Sequence, residues 1–467
     1  MADTLTALDA TFLELEQRDG GALMSIGGSM IFDPRPDGHV PTLDEVRASI
    51  RDRLGAFPRY AQRLSSPHVG GFSWPEWVGD ERFDIDNHVG HATLPEPGGD
   101  AELHEWMAEF FSHPLDRARP LWTTFLLDGL EQGRWALVNK THHCLLDGVG
   151  SVGVLEATLQ PGPDPVGGIA LPPRPKQAGR LESVAAHAPQ PLAQATAAGV
   201  HAVRGGLHAA LHPSEAWVRS RALAELMVRD ELVGAPRTSL NVPIGQGRRF
   251  AAVRAPLDEL KELAHALGGS VNDAVLAACT TGLRELLLER GESLPAHGLR
   301  AMVPVNLRAA SERLALGNKV SSLFVELPVA EPVAQVRFGS IVRTTQRLKD
   351  SDLAAGSDTF VELAGLAPPA LHAALARTAY ATRLFNVTIT NVPGPRQPMY
   401  GHGARLREVF PVVPLAAAHT VGIAAFSYDG RLTFGLGADR ASTPDLEVLA
   451  AGIEQGIDEL RGLVDGL

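Results

Sequence analysis

The chain has 467 residues, 45% of them hydrophobic, a formal net charge of −12 and two cysteines, Cys144 and Cys279. That length exceeds what a single core usually organises, so two domains are expected, while 54 acidic against 42 basic residues, with no dense basic run, argue against nucleic acid as a partner. Sparse cysteine makes neither a disulfide framework nor a metal-ligand spacing, the acidic Met1–Glu16 segment is a poor secretory signal, and no apolar run reaches the roughly 18 residues of a membrane span, so a soluble, cytoplasmic protein is expected.

In chain order, Leu43, Val46, Ile50 and Leu54 recur at helical spacing behind Thr42, a fitting N-cap. Trp106, Phe110 and Phe111 mark a second buried helical face. Arg134 to Thr141 is short, β-favouring and apolar, which predicts a strand. It runs into His142-His143-Cys144-Leu145-Leu146-Asp147-Gly148, after which Val149, Val152, Leu155 and Leu159 predict a helix. Pro161 to Pro191 cannot hold a helix or central strand, because proline lacks the N–H and fixes φ. An Ala-rich, helical stretch follows to about Leu232. The reading is therefore an N-terminal unit over 1–165, a connector over 166–240 and a C-terminal unit over 241–467.

In the last unit Leu257, Leu260, Leu263, Ala264 and Leu267 define an amphipathic helix stopped by Gly268-Gly269. Ser270 caps the next, Val271 to Arg290, with Asp273 in capping-box position. Strands are expected at 300–305, 320–327, 385–392 and 421–428, the last joined to 431–436 through the hairpin turn Asp429-Gly430.

The paired histidines carry the chemistry. An imidazole titrating near neutrality can take the proton of an alcohol as that alcohol attacks a carbonyl. His143 is assigned as this base, Asp147 as the organiser of the loop and imidazole, Gly148 as the point of backbone approach, and His142 as structural. The bland alternative makes both histidines core residues and Asp147 a helix cap, but strand, His pair, Asp, Gly and helix arrive here in one order. Gly148 to Gly153 also spells G-x-G-x-x-G, yet Asp147 would oppose a pyrophosphate and no second strand with a ribose-binding acid follows. Cys144 reads as a small buried hydrophobe. His208 and His212, spaced like metal ligands, lack a third partner, so no metal is expected.

HHCLLDG at 142–148 resembles the HHxxxDG signature of the chloramphenicol acetyltransferase-like superfamily, which includes peptide condensation domains. LDATFLELE (8–16), MSIGGSMIFD (24–33), PLDRARPLW (114–122), SVNDAVLA (270–277), TNVPGP (390–395) and SYDGRLTFGLGAD (427–439) are similar, in order, to the bacterial wax ester synthase/diacylglycerol acyltransferase family. The resemblance implies an α/β fold of two similar halves with mixed sheets and a tunnel between them. It implies direct acyl transfer from acyl-CoA to diacylglycerol or a long-chain alcohol, giving triacylglycerol or wax ester, with no cofactor beyond the co-substrate. His143 carries over as base, and Asn272, Asp273 and Asn391 as supporting residues near the site. Asp273 is equally explained as a helix cap, and Asn391 as the end of a strand before the Pro393-Gly394-Pro395 turn. Peripheral contact with a membrane or lipid droplet is compatible with this reading. Two alternatives stay open: a condensation-type enzyme using carrier-bound acyl groups, and a non-catalytic acyl-lipid binding protein.

Overall fold

Two six-stranded mixed sheets form the frame in the computed structural model, which describes residues 5–18, 21–65, 75–146, 152–155, 158–163, 234–306, 320–350 and 384–466. Asp147, Gly148, His208, His212 and the Ala-rich stretch lie outside the described residues. The first sheet runs β11 (Tyr400–Gly401), β12 (Ala404–Val412), β1 (Ser25–Phe32), β6 (Trp135–His142), β5 (Trp122–Asp128), β4 (Val89–Thr93). Its neighbours are antiparallel except for the parallel pair β4 and β5. The second runs β7 (Arg248–Pro256), β14 (Arg431–Asp439), β13 (Val421–Tyr428), β10 (Val387–Pro393), β8 (Leu299–Asn306), β9 (Val320–Leu327), with β13, β10 and β8 parallel. A separate ribbon pairs β2 (Gln62–Leu64) with β3 (Trp77–Gly79).

Both faces of the first sheet are covered, as strict alternation along β6 shows. Trp135 and Leu137 point into a cluster with Val46 of α2 (Leu43–Arg53), while Ala136 and Val138 point into a cluster with Leu103, Met107 and Phe111 of α3 (Asp100–Phe111). α2 starts as expected: the Thr42 hydroxyl accepts the Glu45 N–H at 3.2 Å, and the Glu45 carboxylate accepts the Thr42 N–H at 2.7 Å. The second sheet shares one continuous core with α4 (Leu257–Ala266), α5 (Val271–Glu289), α6 (Ala334–Asp350) and α7 (Leu446–Asp465). The expected strands of this region are present within a few residues of their expected ends, and the Asp429-Gly430 hairpin pairs Tyr428 with Arg431.

Strand β1 escapes a reading by alternation because Gly27 and Gly28 interrupt it. Both have φ of +153°, and a Cβ on either would stand 2.0 Å from a carbonyl oxygen, that of Asn139 or Phe410. The two flanking strands are therefore drawn close only because side chains are missing there.

Residues 400–412, late in the chain, hydrogen-bond into the first sheet beside β1. The same β12 packs on β14 of the second sheet, where a Cβ on Gly435 would lie 1.9 Å from the Pro411 carbonyl oxygen. Charge reinforces the junction. The Arg254 guanidinium donates to Glu408 of β12 at 2.8 and 3.0 Å and to Asp100 of α3 at 2.7 and 3.1 Å. Arg248, 4% exposed, donates to the carbonyls of Gly245, Gly247 and Gly21, the last of these in the loop before β1.

Candidate active site

The site is built where β6 ends. His142 is its last residue and directly faces Ser25 of β1, and the ladder continues one step further, with the His143 N–H donating to the Met24 carbonyl at 2.8 Å. The chain then turns, Leu145 N–H reaching back to the His142 carbonyl at 2.9 Å. In this turn the two rings take different environments. His142 is fully buried and His143 half-buried.

His142 is held on both nitrogens. Its Nδ1 accepts the Cys144 N–H at 3.1 Å, which requires a lone pair there and places the proton on Nε2. Nε2 then donates to Glu16 at 3.0 Å, on α1 (Ala7–Arg18). The same Glu16 oxygen accepts from Arg117 at 2.8 Å, and Arg117 also caps the Leu13 carbonyl at 3.1 Å. Burial by itself would raise the Glu16 carboxyl, but the hydrogen bond from His142, with the hydrogen bond and charge of Arg117, outweighs it and holds it at about 2. His142 thus bridges a fixed carboxylate to the amide that follows His143.

The His143 ring stacks on Phe12 of α1, centroids 4.1 Å apart and planes 11° from parallel. Phe12 and Met24 belong to a small apolar cluster with Leu15, Ala22, Ala416 and Ala417. The last two come from the loop before β13, so the imidazole stands where segments from both ends of the chain converge. That loop is pinned by His419, whose ring stacks on Phe385 at 4.0 Å and contacts the Ala417 and Phe385 carbonyls at 2.7 and 3.1 Å.

Cys144 is fully buried, and burial pushes its thiol well above the ordinary range, the opposite of a thiolate nucleophile. Asn272 and Asp273 sit in the first turn of α5. Asp273, 3% exposed, accepts from the Ser270 N–H and hydroxyl at 2.8 and 2.6 Å, and from the Thr345 hydroxyl of α6 at 2.6 Å. These bonds cap α5 and tie it to α6. Asn391 is half-buried in β10 opposite Ala425. Leu121 and Trp122 are buried, and the Leu121 carbonyl accepts the His142 N–H at 3.0 Å. Among the described residues no cluster of three or more His, Cys, Asp or Glu is arranged to hold a metal ion, and no helix is long and apolar enough to cross a membrane.

Glu16, Arg117, Phe12 and Met24 are neighbours of the histidine pair that motif reading passes over, although all lie in segments quoted for the family resemblance. Their signal is one of contact and not of residue type.

Two mixed sheets, with β12 of the first packed on β14 of the second and a paired-histidine turn at the end of a central strand, define a chloramphenicol acetyltransferase-like fold. The starter condensation domain of rhizomide synthetase, 15% identical, shares it at a TM-score of 0.62, covering 99% of this chain and 94% of that one. The profile of the wax ester synthase/diacylglycerol acyltransferase catalytic domain matches residues 5–275 and that of the family's C-terminal domain 316–461, and the chain belongs to this acyltransferase family. Two probable diacylglycerol O-acyltransferases of Mycobacterium tuberculosis are 31% and 33% identical, over 98% and 99% of this chain and 95% and 99% of theirs. The wax ester synthase/diacylglycerol acyltransferase of Marinobacter aquaeolei is 28% identical with a TM-score of 0.69, covering 99% of this chain and all of that one.

Proposed function

We propose that the chain transfers a fatty acyl group from acyl-CoA directly to diacylglycerol or a long-chain alcohol, forming triacylglycerol or a wax ester. The observation that carries this reading is the half-buried His143 ring, oriented by Phe12 and by the His142–Glu16 bridge, at a convergence of both sheets. The imidazole takes the hydroxyl proton as the alcohol oxygen bonds to the thioester carbonyl carbon. The tetrahedral adduct then expels the CoA thiolate, which receives that proton, leaving ester and free CoA. General-base help of this kind is worth roughly 10²–10⁴-fold, and orientation of the two substrates supplies much of the rest.

Asp147 is the proposed organiser of the loop, Gly148 its point of close backbone approach, and Asn391 a polar group bordering the tunnel between the halves. Asn272 and Asp273 support the site through α5 without touching reacting atoms. No cofactor beyond acyl-CoA is invoked, and the enzyme is placed in the cytoplasm with peripheral access to a membrane or lipid droplet, where its neutral products accumulate. The test is product identity: purified protein with radiolabelled palmitoyl-CoA and dioleoylglycerol, hexadecanol or no acceptor. Labelled triacylglycerol or wax ester is expected in the first two. Label released as free palmitate at equal rates in all three would mark a thioesterase and remove the proposal.

A further inference from the structure

A cavity of about 380 Å³ opens between the end of α3, the 113–120 loop and strands β5 and β6. Its walls are aromatic: the rings of Trp106, Phe110 and Phe125 stand 5.1 to 5.4 Å apart, centroid to centroid. Lys140 of β6, two residues before His142, also lines it. This lysine is 3% exposed, and its Nζ donates to the carbonyls of Phe110 at 2.5 Å and His113 at 3.0 Å, beside the Phe110 ring at 4.2 Å.

Those carbonyls explain two of the three ammonium protons as a cap on the end of α3. They do not neutralise the charge. No carboxylate among the described residues lies within ion-pair distance of Lys140: the Glu16 charge reaches it only at longer range, Asp116 at the cavity rim faces Arg119 at 3.4 Å, and Glu109 lies 3.8 Å from the His113 ring. A buried ammonium without a contacting counter-ion is costly, and one that borders an open cavity with an aromatic wall is a ready receptor for an anion with an apolar body. The volume fits a small-molecule site, with an apolar wall of Trp106, Phe110, Phe125 and Leu115 facing polar groups that include Lys140 and Arg119.

We propose that this cavity is a second, non-catalytic ligand site for an amphiphilic monocarboxylate, a free fatty acid of medium chain length. Its carboxylate pairs with Lys140 and its hydrocarbon lies along Trp106, Phe110 and Phe125. The site is separate from the acyl-transfer reading, since its ligand contacts none of the groups around His143, although the Glu16 charge that holds His142 also reaches Lys140.

The experiment is calorimetric titration of the full chain at pH 7 with decanoate, decanol and decyltrimethylammonium, each below its micellar range. Decanoate should bind at least tenfold more tightly than decanol, and the ammonium amphiphile should not bind. Lys140→Met should reduce decanoate to the level of decanol, Lys140→Arg should retain it, and saturating palmitoyl-CoA should leave its stoichiometry unchanged. Equal affinity for decanoate and decanol would overturn the proposal. So would displacement of decanoate by palmitoyl-CoA, one for one, which would locate it in the catalytic tunnel instead. The ligand series on the wild-type chain decides the matter even where Lys140→Met fails to fold.

Discussion

Around His143 the decisive groups act in relay. Glu16 fixes the tautomer of His142, whose Nδ1 holds the Cys144 amide, while Phe12 stacks on the His143 ring from the same helix. Because the Glu16 carboxyl is lowered from 4.5 to about 2 in the folded chain, its ionised form contributes stability that is present above about pH 4.5 and lost as pH falls toward 2. Glu16→Gln should therefore lower the urea midpoint at pH 7, and the gap from wild type should close as pH falls through that window. A gap constant from pH 7 to pH 2.5 would contradict the assignment. Phe12→Ala removes a ring stack of about 0.5–1.5 kcal/mol, so kcat should fall roughly two- to tenfold through loss of imidazole orientation, with KM for acyl-CoA little changed. The His pair was legible in sequence because strand, histidines and turn are consecutive. Glu16 and Arg117 were not, because Glu16 meets its partners across 126 and 101 residues and nothing local marks an acid as destined for a histidine.

Between elements, one tight constraint is the passage of β12 over β14. A methyl group on Gly435 would meet the Pro411 carbonyl oxygen at 1.9 Å, a backbone atom of a strand already paired with β1. Gly435→Ala should cost at least about 1–3 kcal/mol, as overpacking does, read as a lower denaturation midpoint. The α5 cap tests a different point. Asp273→Ala should cost about 2 kcal/mol, from a lost cap and a lost buried bond to Thr345, while activity per folded molecule stays within about twofold. A collapse of kcat with unchanged stability would make Asp273 a catalytic residue instead. Helices with their own punctuation, such as α5 behind Ser270, were readable from sequence, as was the β13–β14 hairpin. β1 and β12 were less so: glycines break the alternation of one, and the pairing of the other depends on a strand nearly 400 residues earlier, with Gly27 facing Val412.

For the molecule as a whole, the packing of β12 on β14 and the Arg254 and Arg248 contacts join the two sheets into one frame around the histidine turn. Acyl donor and hydroxyl acceptor must meet at that turn if the frame serves transfer. In the proposed reaction the imidazole of His143 moves the proton that links bond formation to thiol departure. Steady-state CoA release from palmitoyl-CoA with dioleoylglycerol, compared between wild type and His143→Ala of matched circular dichroism, addresses this most directly. The variant should lose roughly 10²–10⁴-fold in kcat; a folded variant that keeps its turnover within about threefold would mean that the proton leaves by another route.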